Sequence, residues 1–182
     1  SIAQQLSLLY DPWFSSYSYG FRPKRSAHQA LGKCRDYITE GYVYAVDIDL
    51  ERFFDTVNHG KLIEVLSRKV KDGRVVSLIH KYLNAGVMKE GRYEETPAGV
   101  PQGGPLSPVL SNILLNELDI ELERRGHKFV RYADDMVILC RSRRSTERTM
   151  QNIISFIEGK LLLKVNRDKS KAAYVREVKF LG

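Results

Sequence analysis

The feature that most constrains this chain is a set of acidic residues placed where strands are apolar. VDIDL sets Asp47 and Asp49 inside YVYAVDIDL (residues 42–50), a run of β-branched and aromatic residues that reads as a strand. YADDM sets Asp134 and Asp135 inside KFVRYADDMVILCR (128–141), two apolar runs about an acidic centre that read as a hairpin. A carboxylate taken out of water needs a cation, hydrogen bonds or an exposed edge, and adjacent carboxylates also repel each other. A divalent cation offsets both costs, and hard Mg²⁺ prefers oxygen ligands. Asp47 and Asp49 are two apart, so they share one strand face at about 6.6–6.8 Å along the strand. Asp134 and Asp135 are neighbours and point to opposite faces of a regular strand, so only a tight turn lets both approach one pocket. Two metals about 3.5–4 Å apart, bridged by carboxylates, suit in-line phosphoryl chemistry.

Around these sites the chain reads as a succession of capped helices. Residues 1–10 form a short helix. Ser26 caps a second, with Ala27, Ala30, Leu31 and Cys34 on one face, ending near Gly41. Asn58 caps a third, with Leu62, Ile63 and Leu66 inward, and residues 74–84 form a fourth. GVMKEGRYEETPAG reads as a hairpin followed by a loop. From Ser107 or Pro108 a long helix runs to Arg125, with Leu110, Leu114, Leu118 and Leu122 as a core stripe and Gly126 as its stop. Ser145 to Gly159 is helical, and LLLKV and KAAYV read as short final strands. This order predicts an α+β domain, an antiparallel sheet with helices packed on one face.

The net charge of +7 raises the odds of a polyanionic partner without showing one. Basic residues cluster at Arg22 to Arg25, Arg141 to Arg144 and Lys164 to Lys171. Two cysteines, Cys34 and Cys140, with no CxxC spacing, argue against a disulfide framework or a zinc site, and a reducing cytosol is the plain expectation. No stretch approaches the roughly 20 apolar residues of a membrane span, and no membrane partner is expected. The N-terminal SIAQQLSLLYDPWF lacks the basic region of a signal peptide. With no initial Met and an abrupt KFLG end, both termini read as cut. The oligomeric state is not legible.

Several motifs then occur in one order. YADD (132–135) resembles motif C of reverse transcriptases, and DLERFFD (49–55), followed by TVNH, resembles motif A. GVPQGGPLSPVLSNILLNELD (99–119) resembles motif B, LKVNRDKSK (163–171) motif D, and FLG (180–182) the start of motif E. YGFRPKRSAHQAL (19–31) is similar to a block of bacterial group II intron enzymes. YADD alone is weak; PQGGPLSP with YADD and DxxxFFD in order is strong.

The resemblance implies a polymerase palm with partial fingers, with residues 1–41 as fingers-proximal helices and 42–182 as palm, in a fragment without the upstream fingers segment and the thumb. It implies RNA-directed DNA synthesis with two Mg²⁺ ions (Mn²⁺ as substitute), with intron RNA as template, a DNA primer or target, and dNTPs. A maturase role in splicing would accompany it, in a ribonucleoprotein of the bacterial cytoplasm. Family spacing puts the motif A ligand five residues before an aromatic gate, which selects Asp49 with Phe54 and leaves Asp47 as support. Asp49, Asp134, Asp135 and the Leu50 carbonyl would hold metal. Phe54 would exclude a 2′-hydroxyl, and Phe53 beside it would share the nucleotide site, although of the two it is better suited to the core. Gln102, Gly103 and Ala133 would meet the nucleotide, and Lys169 would give a proton to the leaving pyrophosphate. Arg22, Lys24, Arg25, Gly104 and Tyr132 would meet nucleic acid. Other readings are an RNA-binding maturase in which polymerisation is secondary, or a retron, CRISPR-associated or diversity-generating reverse transcriptase. A signalling cyclase shares palm-like chemistry, but no GGDEF-type signature occurs.

Overall fold

The computed structural model describes residues 1–85, 87–89, 92–94, 98–100 and 104–181. The helices are α1 (Ile2–Tyr10), α2 (Ala27–Thr39), α3 (Phe53–Thr56), α4 (His59–Ser67), α5 (Gly73–Asn84), α6 (Ser107–Arg124) and α7 (Arg143–Lys160). The strands are β1 (Tyr44–Ile48), β2 (Val87–Lys89), β3 (Arg92–Glu94), β4 (Lys128–Tyr132), β5 (Asp135–Cys140) and β6 (Lys171–Tyr174).

Local chemistry sets the helix starts. Ser1 and Ser26 form capping boxes with Gln4 and Gln29. The side chains of Asn58, Asp72 and Ser142 each accept a first-turn N–H of α4, α5 and α7. The Ser142 cap starts α7 two residues before the expected Ser145. The expected final strand at LLLKV is not one: only Val165 makes a strand-like bridge, to Leu50. KAAY does form β6.

One antiparallel sheet has the order β4-β5-β1-β6, and β2 pairs with β3 separately. Period-2 alternation divides the sheet's side chains between two apolar clusters. Val46, Ile48, Phe129, Met136 and Ile138 join the main core with α6 and α7 residues such as Leu114, Leu118, Ile153 and Ile157. Ala45, Val130, Val137 and Leu139 meet Ala30 and Tyr37 of α2 on the opposite face. The helices expected on one face are therefore joined by α2 on the other. The α6 helix is buried nearly all round, taking in Val109, Ile113 and Leu115 besides the expected leucine stripe. Its polar Asn112, Asn116 and Asp119 are buried too.

The outer edge of β4 is not bare. The Arg131 N–H donates to the Tyr17 carbonyl and the Tyr19 N–H to the Arg131 carbonyl, both at 2.9 Å, which makes a short parallel bridge at Ser18.

Candidate active site

The carboxylates come together by sheet register. In the β1–β5 ladder Asp47 lies opposite Val137 and Ile48 opposite Met136, which puts Asp135 near the C-terminal end of β1. Tyr132 pairs with Asp135, so β4 and β5 are joined by a two-residue turn of Ala133 and Asp134. Ala133 is left-handed, with φ 57°. Such a turn matches the twist of its strands, but an alanine there costs roughly 1–2 kcal/mol. Asp47, Asp49, Asp134 and Asp135, all half-buried, line one cavity of about 400 Å³ with Lys169 and Lys179.

The segment after β1 is fastened to the loop after α7. The Asn166 N–H donates to the Asp49 carbonyl at 2.8 Å, and the Glu51 N–H to the Lys164 carbonyl at 2.7 Å. These bonds flank Leu50 without using its carbonyl. Asn166 also organises the turn that carries Lys169: its side chain accepts the Lys169 N–H at 3.2 Å, and its carbonyl accepts the Ser170 N–H at 2.9 Å.

Burial and mutual repulsion hold two of the cluster's carboxyls above the ordinary carboxylate range. Burial, then the neighbouring Asp135 charge, pushes the Asp47 carboxyl up to about 6; Lys171, its cross-strand partner, works against the rise. Burial also raises Asp135, with Asp134 and Asp49 adding to it and the Leu181 N–H opposing. Among the described residues no three Asp, Glu, His or Cys side chains close around a single point at metal-ligand distance. The donor set still fits a divalent ion of the Mg²⁺ type: it is all oxygen, from two strands and a turn that share one cavity. Lys169 and Lys179 on the rim are exposed.

The two adjacent aromatics separate cleanly. Phe53 is only 2% exposed and belongs to the core, so its side chain is closed to a nucleotide. Phe54 is half-buried and packs edge-on against it, at 5.3 Å between ring centroids. The helix carrying them is gripped by the start of the motif B loop. The Val100 N–H donates to the Phe54 carbonyl and the Gly99 N–H to the Val57 carbonyl. Gly99 has φ +91°, and a Cβ there would stand 2.6 Å from the Phe54 carbonyl oxygen. His59, from TVNH, joins the Gly99 carbonyl at 2.5 Å to the Asn84 side chain at 3.2 Å. Gln102 and Gly103 lie outside the described residues. Gly104 is half-buried, and its missing side chain makes room for the Tyr82 hydroxyl, 2.3 Å from a built Cβ.

The basic block behaves unevenly. Arg22 is committed inside the fold: its guanidinium donates to the Asp11 carboxylate and to the carbonyls of Asp11, Ser15 and Ser18. Four of its five N–H donors are thus taken up inside the fold, which leaves little of the group for the expected nucleic-acid contact. Arg25 lies 5.0 Å over the Tyr19 ring and donates to the Ser16 carbonyl. Lys24 is exposed beside it, and Tyr132 is half-buried. Sequence reasoning passed over Ser170, Asn166, His59, Gly20 and Arg131, whose partners are far away in the chain.

Residues 1–182 match the family described as reverse transcriptase (RNA-dependent DNA polymerase). Similar curated proteins include the group II intron-encoded protein LtrA of Lactococcus lactis subsp. cremoris, 39% identical over 132 residues, covering 72% of this chain and 22% of LtrA. Protein YkfC of Escherichia coli is 32% identical over 202 residues, covering 90% of this chain and 53% of YkfC. An uncharacterised 91 kDa protein in the cob intron of Schizosaccharomyces pombe is 36% identical over 175 residues, covering 95% of this chain and 20% of that protein. The chain thus spans from about a fifth to about a half of the length of these relatives. In fold it is similar to apo telomerase of Candida tropicalis, with a TM-score of 0.70 at 18% identity, covering 94% of this chain and 39% of that one. Matched along its whole length, and with the family's acidic motifs meeting at one cavity of an α+β fold, the chain belongs to the reverse transcriptase family.

Proposed function

We propose that this chain is the fingers-proximal and palm part of a group II intron reverse transcriptase, which extends a DNA primer with dNTPs on an intron RNA template. The observation that carries this is the single cavity lined by Asp47, Asp49, Asp134 and Asp135, with lysines at its rim. The primer 3′-oxygen attacks the α-phosphorus of the dNTP in line, the bond to the β-phosphate breaks, and pyrophosphate leaves. Asp49, Asp134, Asp135 and the Leu50 carbonyl would hold two Mg²⁺ ions, which when bound supply charge stabilisation at the attacking and leaving oxygens. Lys169, one of the residues lining the cavity, would protonate the pyrophosphate. The half-exposed Phe54 ring packs under the sugar and excludes a 2′-hydroxyl. Lys24 and Arg25, which line a separate cavity with Tyr19, offer basic contacts for template or primer.

A splicing-cofactor role on intron RNA accompanies polymerisation, supported by the net charge of +7 and by the 39% identity to a group II intron-encoded protein. This reading implies a ribonucleoprotein in a bacterial cytoplasm. Primer extension by the whole protein on an RNA template tests the reading. Synthesis that needs Mg²⁺ and is lost in Asp134→Ala upholds it, and synthesis that survives Asp134→Ala overturns the site.

A further inference from the structure

Arg131 directly precedes the motif C tetrad, yet it is only 1% exposed, the largest side chain buried so completely among the described residues. All five of its N–H donors are used. Nε and Nη2 grip the two oxygens of Asp119 at 2.8 Å each. Nη1 donates to the Asn112 side-chain oxygen at 3.0 Å and to the Ala133 carbonyl at 2.6 Å, and Nη2 also donates to the Ser18 hydroxyl at 2.9 Å. Asn112 in turn donates to the Gly20 carbonyl at 2.9 Å. One guanidinium thus binds α6, the segment at residues 17–20 and the turn that holds Asp134.

Gly20 completes the arrangement from the other side. A Cβ built on it would stand 2.3 Å from the Ala133 nitrogen and 2.9 Å from the Tyr132 carbonyl carbon. Both are backbone atoms of the turn, so they cannot rotate away. Ala133, left-handed against its preference, lies between this close approach and the bond from Arg131.

A buried ion pair is weak evidence for a stabilising role, since apolar residues of similar volume often do as well. An apolar pair could not hold the Ala133 carbonyl, nor tie that turn to the motif B helix. We propose that Arg131, with Asp119, Asn112, Ser18 and Gly20, is a positioning centre that fixes the Ala133–Asp134 turn, and so sets where the Asp134 carboxylate meets the reacting phosphate. This rests on the reverse transcriptase reading for its consequence, though not for its geometry.

Three variants of the whole protein test it. Arg131→Lys keeps a cation opposite Asp119 but loses the planar fork. Gly20→Ala removes no hydrogen-bonding group and pushes one methyl against the backbone of the turn. Ser18→Ala removes a single bond. For each, the melting temperature is measured together with kcat and dNTP KM in primer extension, and with hydrogen exchange at the amides of Ala133 to Asp135. We expect Arg131→Lys and Gly20→Ala, corrected for folded fraction, to lose about 100-fold in kcat, as a misplacement near 1 Å would cause. The dNTP KM should stay within about threefold, and faster exchange should be confined to the turn. Ser18→Ala should melt as the parent does and lose kcat several-fold; it decides the matter if the other two do not fold. Folded variants with parental kcat and parental exchange would overturn the proposal. If the parent protein makes no DNA on an RNA template, the functional reading fails, and exchange at the turn alone then upholds or overturns the positioning centre.

Discussion

The Ser170 hydroxyl accepts the main-chain N–H of Asp49 at 3.0 Å, across 121 residues of chain. With the Asn166 N–H on the Asp49 carbonyl, both backbone polar groups of Asp49 are held by the loop that carries Lys169. Ser170→Ala leaves a part-buried amide without that acceptor, a loss of about 1–3 kcal/mol. We expect a lower melting temperature and a fall in kcat of roughly tenfold, since small misplacements in a site are costly. Ser170→Thr, which restores a hydroxyl, should recover most of the rate. Equal rates for Ser170→Ala and the parent would show that the loop does not locate Asp49.

Asp49 and Asp47 should separate sharply. Asp49→Asn should abolish primer extension. Asp47→Asn should retain most of it and raise the melting temperature, because it removes a half-buried charge that faces Asp135. Discounted for its solvent exposure, the gain should be on the order of 1 kcal/mol. Paired activity and melting measurements check this, and the reverse order of activity loss would make Asp47 the ligand.

Phe53→Ala should cost about 3–5 kcal/mol of stability, as expected for a fully buried ring. Phe54→Ala should fold nearly as the parent does and narrow the preference for dNTP over rNTP. Gly99→Ala, which would drive a Cβ to within 2.6 Å of the Phe54 carbonyl oxygen, should disturb the same preference without touching the ring. Competition between matched dNTP and rNTP in single-turnover extension reads all three.

His127 gives a pH signature outside the site. Burial, and then the Arg125 charge, hold its imidazole below the usual value of 6.5. The folded state favours neutral His127, so its contribution to stability is complete above about pH 6.5 and is lost as pH falls through the lowered value. His127→Gln should flatten the decline in stability between about pH 6.5 and 5, and NMR titration of the ring should give a midpoint below 6.5. A midpoint above it would reverse the sign.

What was legible in the sequence was local. Ser26 and Asn58 act as caps through bonds that span three residues, and the alternation of VDIDL put Asp47 and Asp49 on one side of a strand. What was not legible lies at long range. Arg131 in RYADD has the composition of a surface residue, and only the fold carries it to Asp119 and Ser18. Arg22 reads as a phosphate ligand until Asp11 and the carbonyls of residues 11–18 take up its donors. LLLKV has the composition of a strand, but it leads into the loop that fastens Asp49, with Leu161, Leu163 and Val165 buried in the core. The apolar period reports burial there and not a ladder.

The short parallel bridge of residues 17–19 along β4 has a further consequence. β4 is the last strand on its side of the sheet, and a bare row of N–H and C=O groups there would be a template for strands of other molecules. Tyr17 and Tyr19 occupy two of those groups, at Arg131. A chain beginning after Gly20 would open that edge at the strand that leads to the Ala133–Asp134 turn, and its failure would be aggregation in solution before any loss of chemistry.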